Sequence, residues 1–173
     1  LKKLLSKFGL NIFHCEEVSI HGGSMRCWIT NKDQYGTTEA DEKFIKKEES
    51  FDYNRFMSAV WTKIIKDQSF LNNLDGSVAL FGAAAKGCVY LNALNSWKLT
   101  NTYCIDDTLQ KQGKFIPGTE IEVVGRSYLK YNKPDNIVIM AHNFGPQIAK
   151  SLINDGYKGR LITMLPEIEI DRA

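Results

Sequence analysis

Apolar and polar positions change rhythm once along this chain, near Gly76. Before that point the pattern is mostly helical. Leu1, Leu4, Leu5 and Phe8 recur at helical spacing among lysines, and Gly9 supplies a stop. Residues 10–18 and 25–30 read as two strands joined across His21, Gly22, Gly23 and Ser24, which predicts an antiparallel pair. Residues 31–38 are polar and turn-rich, a linker by composition. A weakly amphipathic helix over 38–49 follows. Ser50 is then placed to cap a second helix, in which Tyr53, Phe56, Met57, Val60, Trp61, Ile64 and Ile65 keep an i, i+3, i+4 rhythm. The expected role of that aromatic stripe is packing against a sheet.

From Ser77 onward, strand and helix alternate. Strands are predicted at 77–82, 101–105, 121–124, 136–141 and 161–164, and helices at 87–94, near 126–131, and at 145–154 with Gly156 closing the last. Such alternation predicts an α/β fold, a mostly parallel, doubly wound sheet preceded by a helical linker, an N-terminal helix and the strand pair. Three segments follow: 1–31, 32–76 as the linker, and 77–173 as the α/β domain. Ligands of such sheets bind outside the carboxyl ends of the strands. That end carries residues 82–86, Asp106, Asp107, His142, Asn143, Phe144, Pro166 and Glu167.

Composition narrows the class. The chain has 173 residues, 43% hydrophobic and 24% charged, as an ordinary globular domain has. A formal charge of +2 with no dense basic stripe gives no case for nucleic acid. Lys43, Lys46 and Lys47 alternate with glutamates, as on a solvated helix face. No apolar run is long enough to span a membrane. Cys15, Cys27, Cys88 and Cys104 lack any C-x-x-C spacing, so they read as reduced thiols of a cytoplasmic protein. Three scattered histidines support no metal site. The chain opens on what reads as a helix interior, so it is expected to be a piece of something longer.

Chemistry concentrates in few places. The turn Gly82-Ala83-Ala84-Ala85-Lys86-Gly87 lies between a strand and a helix. It matches neither G-x-G-x-x-G nor the P-loop pattern. Lys86 amid small residues at a helix start can hold a phosphate by charge and backbone amides; equally, it can be a surface lysine on a compact turn. Asp106, ending a strand, is placed like the acid that takes a ribose hydroxyl, or like a turn aspartate. His142 can act as a general base with Asn143 positioning a hydroxyl; alternatively it is a turn histidine with Asn143 capping the next helix. His21 sits at an exposed turn or faces a ligand from a strand end.

Several of these stretches together resemble the carboxy-terminal domain of sugar C-methyltransferases. They are the 81–87 turn, Leu91-Asn92, Asp106, the block Lys111-Gln112-Gly113-Lys114-Phe115-Ile116-Pro117-Gly118-Thr119, Pro134-Asp135, Asn143-Phe144 and Leu165-Pro166-Glu167. Phe8-Gly9-Leu10 and residues 21–26 are similar to the end of the family's middle domain. The resemblance implies a Rossmann-like third domain of an enzyme that uses S-adenosylmethionine to methylate a carbon of a nucleotide-linked ketosugar. It places the methyl donor and the catalytic base in domains upstream of Leu1, leaving no cofactor and no catalytic residue here. Alone, the fragment would then be inactive. Gly82, Lys86, Gly87, Asp106, Lys111, His142, Asn143, Phe144, Glu167 and His21 become candidate substrate contacts. The sequence departs from the family in Ala84, where proline is common, and in His142, where tryptophan is common. Two other readings remain: a non-catalytic nucleotide- or sugar-binding module, and an NAD(P)-dependent oxidoreductase, which the missing glycine fingerprint disfavours.

Overall fold

A computed structural model describes residues 1–20, 23–31, 39–95, 99 and 101–172. They form two compact units, Leu1–Met57 and Ser58–Ala173. In the first, a short helix α1 (Lys2–Ser6) precedes strands β1 (Asn11–Val18) and β2 (Ser24–Thr30), which pair antiparallel as predicted. Opposed residues make contacts typical of such pairs: Arg26 bonds Glu16 at 2.8 Å, and the thiols of Cys15 and Cys27 face each other at 3.5 Å. Helix α2 (Glu39–Glu49) packs on β1, where Lys47 pairs with Glu17.

Helix α3 (Tyr53–Asn72) corrects two expectations. Its cap is Asp52, whose carboxylate accepts the Arg55 amide, whereas the Ser50 hydroxyl bonds back to the Lys47 carbonyl at the end of α2. The aromatic members of the stripe do not form core, although Ile64 is buried and Val60 packs against the core. Tyr53, Phe56, Met57, Trp61 and Ile65 are exposed, Trp61 by 54%, while the buried line is Ile64, Asp67 and Leu71. The periodicity was right for a helix but not for which side is covered, because a helix with apolar residues on more than one face has no unique inward stripe.

The second unit is built on a six-stranded sheet in the order β5-β4-β3-β6-β7-β8. Its strands are β3 (Val78–Phe81), β4 (Tyr103–Ile105), β5 (Glu122–Val124), β6 (Asn136–Ile139), β7 (Arg160–Thr163) and β8 (Glu169–Arg172). The first five run parallel and β8 pairs antiparallel with β7. The sheet is therefore mixed, mostly parallel. β8 was not anticipated, because alternating acids and isoleucines at the chain end carry no turn signal that isolates them as a strand.

Alternation along the strands sorts the core into two layers. Leu80, Cys104, Val123, Val138 and Ile162 face α3 and α4 (Ala85–Ala93), meeting Ile64, Leu71, Leu91 and Leu94. Ala79, Phe81, Ile105, Ile137, Ile139 and Leu161 face α5 (Gly145–Asn154), through Ala149 and Leu152. On that same layer Leu129 belongs to a 3-10 turn, Arg126–Lys130, where a helix was expected. Full burial of a leucine such as Leu152 contributes about 2 kcal/mol. The buried Asn136 is held by its amide to the carbonyls of Asp75 and Ser77, which fixes the entry into β3 against β6.

Candidate functional site

The strand order reverses at β3. The chain steps outward from β3 to β4 and β5, then returns to β6 on the other side, so the carboxyl ends of β3 and β6 border the switch point. Gly82 leaves β3 there with φ +94°, and a Cβ on it would lie 2.9 Å from that of Ala141. One turn later Gly87 is buried where a Cβ would meet Met140 at 3.0 Å. These two glycines let the 82–87 turn and the start of α4 close directly onto the end of β6. Lys86 is exposed on the first turn of α4.

Asp106 follows β4 and is nearly buried. Its carboxylate accepts the Ala83 amide at 2.8 Å, the Thr108 amide at 2.8 Å and the Lys111 ammonium at 2.9 Å. Burial pushes this carboxyl up, but the bonds from Lys111 and Thr108 prevail and hold it below the usual range. The acid that would hold a ribose is thus committed to tying the 82–87 turn to its neighbour loop. Lys111, predicted as a ligand contact, serves the same tie. With Asp106 so engaged and Ala84 where the G-x-G-x-x-G turn has its middle glycine, these residues do not fit the adenosine portion of S-adenosylmethionine or of a dinucleotide.

His142 begins a 3-10 turn, His142–Phe144, after β6. Its ring stands edge-on to Tyr90 of α4 at 5.5 Å, and both ring nitrogens are shielded from solvent without a hydrogen-bond partner among the described residues. Burial and the charges of Lys63 and Lys86 lower its pKa, against a smaller opposing effect of Asp67, so the ring is neutral at pH 7. Asn143 and Phe144 are exposed beside it, and Asn143 does not cap α5, whose cap position is Phe144 with no side-chain bond. Glu167 lies on the surface, 3.3 Å from Lys66. His21 lies outside the described residues.

The sequence reading missed the polar centre beneath His142. Asp67 of α3 is 0% exposed. It accepts two 2.6 Å bonds from Lys63 and one from the Tyr90 hydroxyl, and Lys63 also reaches the Met164 carbonyl past the end of β7 at 2.8 Å. Desolvation and the adjacent Asp67 carboxylate raise the Tyr90 pKa, so the phenol stays protonated as a donor. One signal was available: Asp67 stands three residues after Ile64 and four before Leu71, inside the line that faces the core. Among the described residues, no three His, Cys, Asp or Glu side chains converge as metal ligands, and no helix is long and apolar enough to cross a membrane.

A mostly parallel sheet, glycine-closed at its switch point, with His142, Tyr90 and Lys63 gathered around the buried Asp67, makes this an α/β domain rather than a helical or all-β module. Comparison with known proteins gives the lineage. Residues 19–166 match the C-methyltransferase C-terminal domain family, and the chain belongs to it. It is also similar to the C-methyltransferase NovU of Streptomyces niveus, 32% identical over 100 residues. That match covers 56% of this chain and 23% of NovU, so the chain spans a minor part of the relative's length.

Proposed function

We propose that this chain contributes the substrate-side domain of an S-adenosylmethionine-dependent C-methyltransferase that acts on a nucleotide-linked ketosugar. Family membership carries the reading. It is supported by the juxtaposition of the Gly82–Gly87 turn with His142 and Asn143 at the sheet's switch point, where Rossmann-like, doubly wound sheets take ligands. The methyl donor belongs to another domain of the enzyme, in keeping with the commitment of Asp106 to its own loop. By itself this piece is inactive, and as an enzyme part it works in the cytoplasm.

In this reading Lys86 and the amides at the start of α4 face the diphosphate, Asn143 and Phe144 line the rim toward the sugar, and Glu167 stands on the surface, paired with Lys66. A lysine is suited to that task as a point charge that needs no fixed approach direction. Neutral His142, its ring nitrogens shielded from solvent, backs this rim through its packing against Tyr90. The domain's contribution is to orient the sugar and exclude water from the reacting carbon; proton removal is assigned to a residue outside this chain. The engaged Asp106 weighs against the oxidoreductase alternative, which requires that acid for a ribose. Calorimetric titration of the intact enzyme with a nucleotide-sugar tests the assignment. Lys86→Ala is expected to weaken affinity about tenfold, and unchanged affinity removes the phosphate role.

A further inference from the structure

A cavity of about 1270 Å³ opens at the opposite end of the sheet, at the amino ends of β3, β6 and β7. It shares no residue with the switch-point set. One wall comes from the 3-10 turn and the segment leading into β6, with Leu129, Lys130, Lys133 and Pro134; the other comes from the loop between α5 and β7, with Tyr157 and Lys158. Tyr157 is buried, its hydroxyl donating to the Pro134 and Arg160 carbonyls, so the two walls are held together from below.

The charges on this cavity are unevenly spent. Arg126 is consumed by Asp107, Asp155 and the Ser151 hydroxyl. Asp135 accepts the Ser77 amide and hydroxyl. Arg160 donates to the Asp75 carbonyl. After those pairings Lys130, Lys133 and Lys158 have no hydrogen-bond or ion-pair partner among the described residues, and the one carboxylate left on the cavity without a partner is that of Asp75. Three unneutralised ammonium groups on two facing walls, over an apolar floor, leave a surplus of positive charge in a concave site. Elsewhere on the described surface lysines are often spent on acids, as Lys47, Lys66 and Lys111 are. A pocket of this size with a few converging charges fits a small organic ligand better than a flat protein partner.

We propose that this cavity is a second binding site, for a phosphate-bearing small molecule whose phosphate lies among Lys130, Lys133 and Lys158 and whose organic part rests on Leu129, Pro134 and Tyr157. The site is separate from the switch point and reads charge first, because ammonium groups supply attraction without a fixed approach direction.

Titration of the isotope-labelled chain with inorganic pyrophosphate and, separately, with a nucleoside diphosphate, followed by amide chemical shifts, tests the site. Both are expected to move the amides of residues 130–133 and 156–159, with affinity falling as salt rises. A nucleoside diphosphate that binds more tightly than pyrophosphate supports the resting place of the organic part; equal affinity overturns that part of the proposal. The triple variant Lys130→Ala, Lys133→Ala, Lys158→Ala is expected to weaken binding at least about tenfold, and Asp75→Asn to strengthen it. These lysines are exposed, so the variant keeps its fold, which the unchanged remainder of the spectrum verifies. Absence of shifts in those two segments at millimolar ligand overturns the proposal, as does binding that survives the triple substitution, or an acidic peptide that binds there when phosphates do not. Lys86→Ala leaves these shifts unchanged, so loss of the switch-point role and loss of this site register separately.

Discussion

Removing the Asp67 carboxylate is the most informative single perturbation. The side chain is fully buried and receives three hydrogen bonds from two donors, Lys63 and Tyr90. In Asp67→Ala, the Lys63 ammonium loses its counter-charge and keeps only the Met164 carbonyl, while the Tyr90 hydroxyl loses its acceptor. Breaking a buried pair from one side costs about 3–5 kcal/mol. Lys63 is 20% exposed and partly rehydrates, which selects the low end of that range, about 3 kcal/mol. That is a large share of the roughly 5–15 kcal/mol that a domain has available. Urea unfolding followed by circular dichroism should therefore show a midpoint lowered by about 1–2 M with an unchanged slope. Tyr90→Phe removes one donor and leaves the ion pair, for about 1 kcal/mol. The double replacement Lys63→Met with Asp67→Leu removes both charges together and should recover much of the loss. A cost below about 1 kcal/mol for Asp67→Ala, or a double variant no more stable than the single one, would refute the view that these charges depend on each other.

Other outcomes follow from the same geometry. Gly82→Ala forces a left-handed φ on alanine and places its Cβ against Ala141, so thermal denaturation should report a loss of about 2 kcal/mol or more. The Asp106 carboxyl is held below its ordinary value, so its stabilisation is complete above about pH 4 and drains away as pH falls through the folded value; Asp106→Asn should flatten the acid limb of the stability curve. His142 titrates below the ordinary histidine value, so between its folded pKa and about pH 6.5 the unfolded chain binds more protons and stability rises with pH. A proton NMR titration that gives His142 a pKa at or above 6.5 contradicts its burial beside Lys63 and Lys86.

The sequence carried the α/β alternation well, because the strands from β3 to β7 centre on short apolar runs and the sheet helices α4 and α5 open on small residues or proline. The 82–87 turn and His142 were recognised as neighbours of the strand ends, and the fold brings them together through Gly82 and Gly87. What stayed hidden was pairing. Asp106 and Lys111 each look like ligand contacts in one dimension; only in three do they satisfy each other. Asp67 was passed over for the converse reason, since one acid within an apolar helix reads as a solvated residue until its partners arrive from α4 and the loop after β7. The misjudged stripe of α3 has the same origin, because periodicity identifies a helix but does not name the surface that will cover it.

The position of β3 also governs how the chain comes to be folded. Leu80 is hydrogen-bond neighbour to Cys104 on one side and to Val138 on the other. As the chain is synthesised, β3 ends at Phe81 and β6 begins only at Asn136, so the strand destined for the middle of the sheet waits as an open edge. Pairing of parallel strands far apart in sequence is slow, because the loop must close before any contact rewards it. Until Asn136–Ile139 arrives, the apolar run Val78–Phe81 offers unpaired amides and carbonyls to any passing strand. The interval between the synthesis of β3 and of β6 is thus the period in which this domain is most exposed to mispairing.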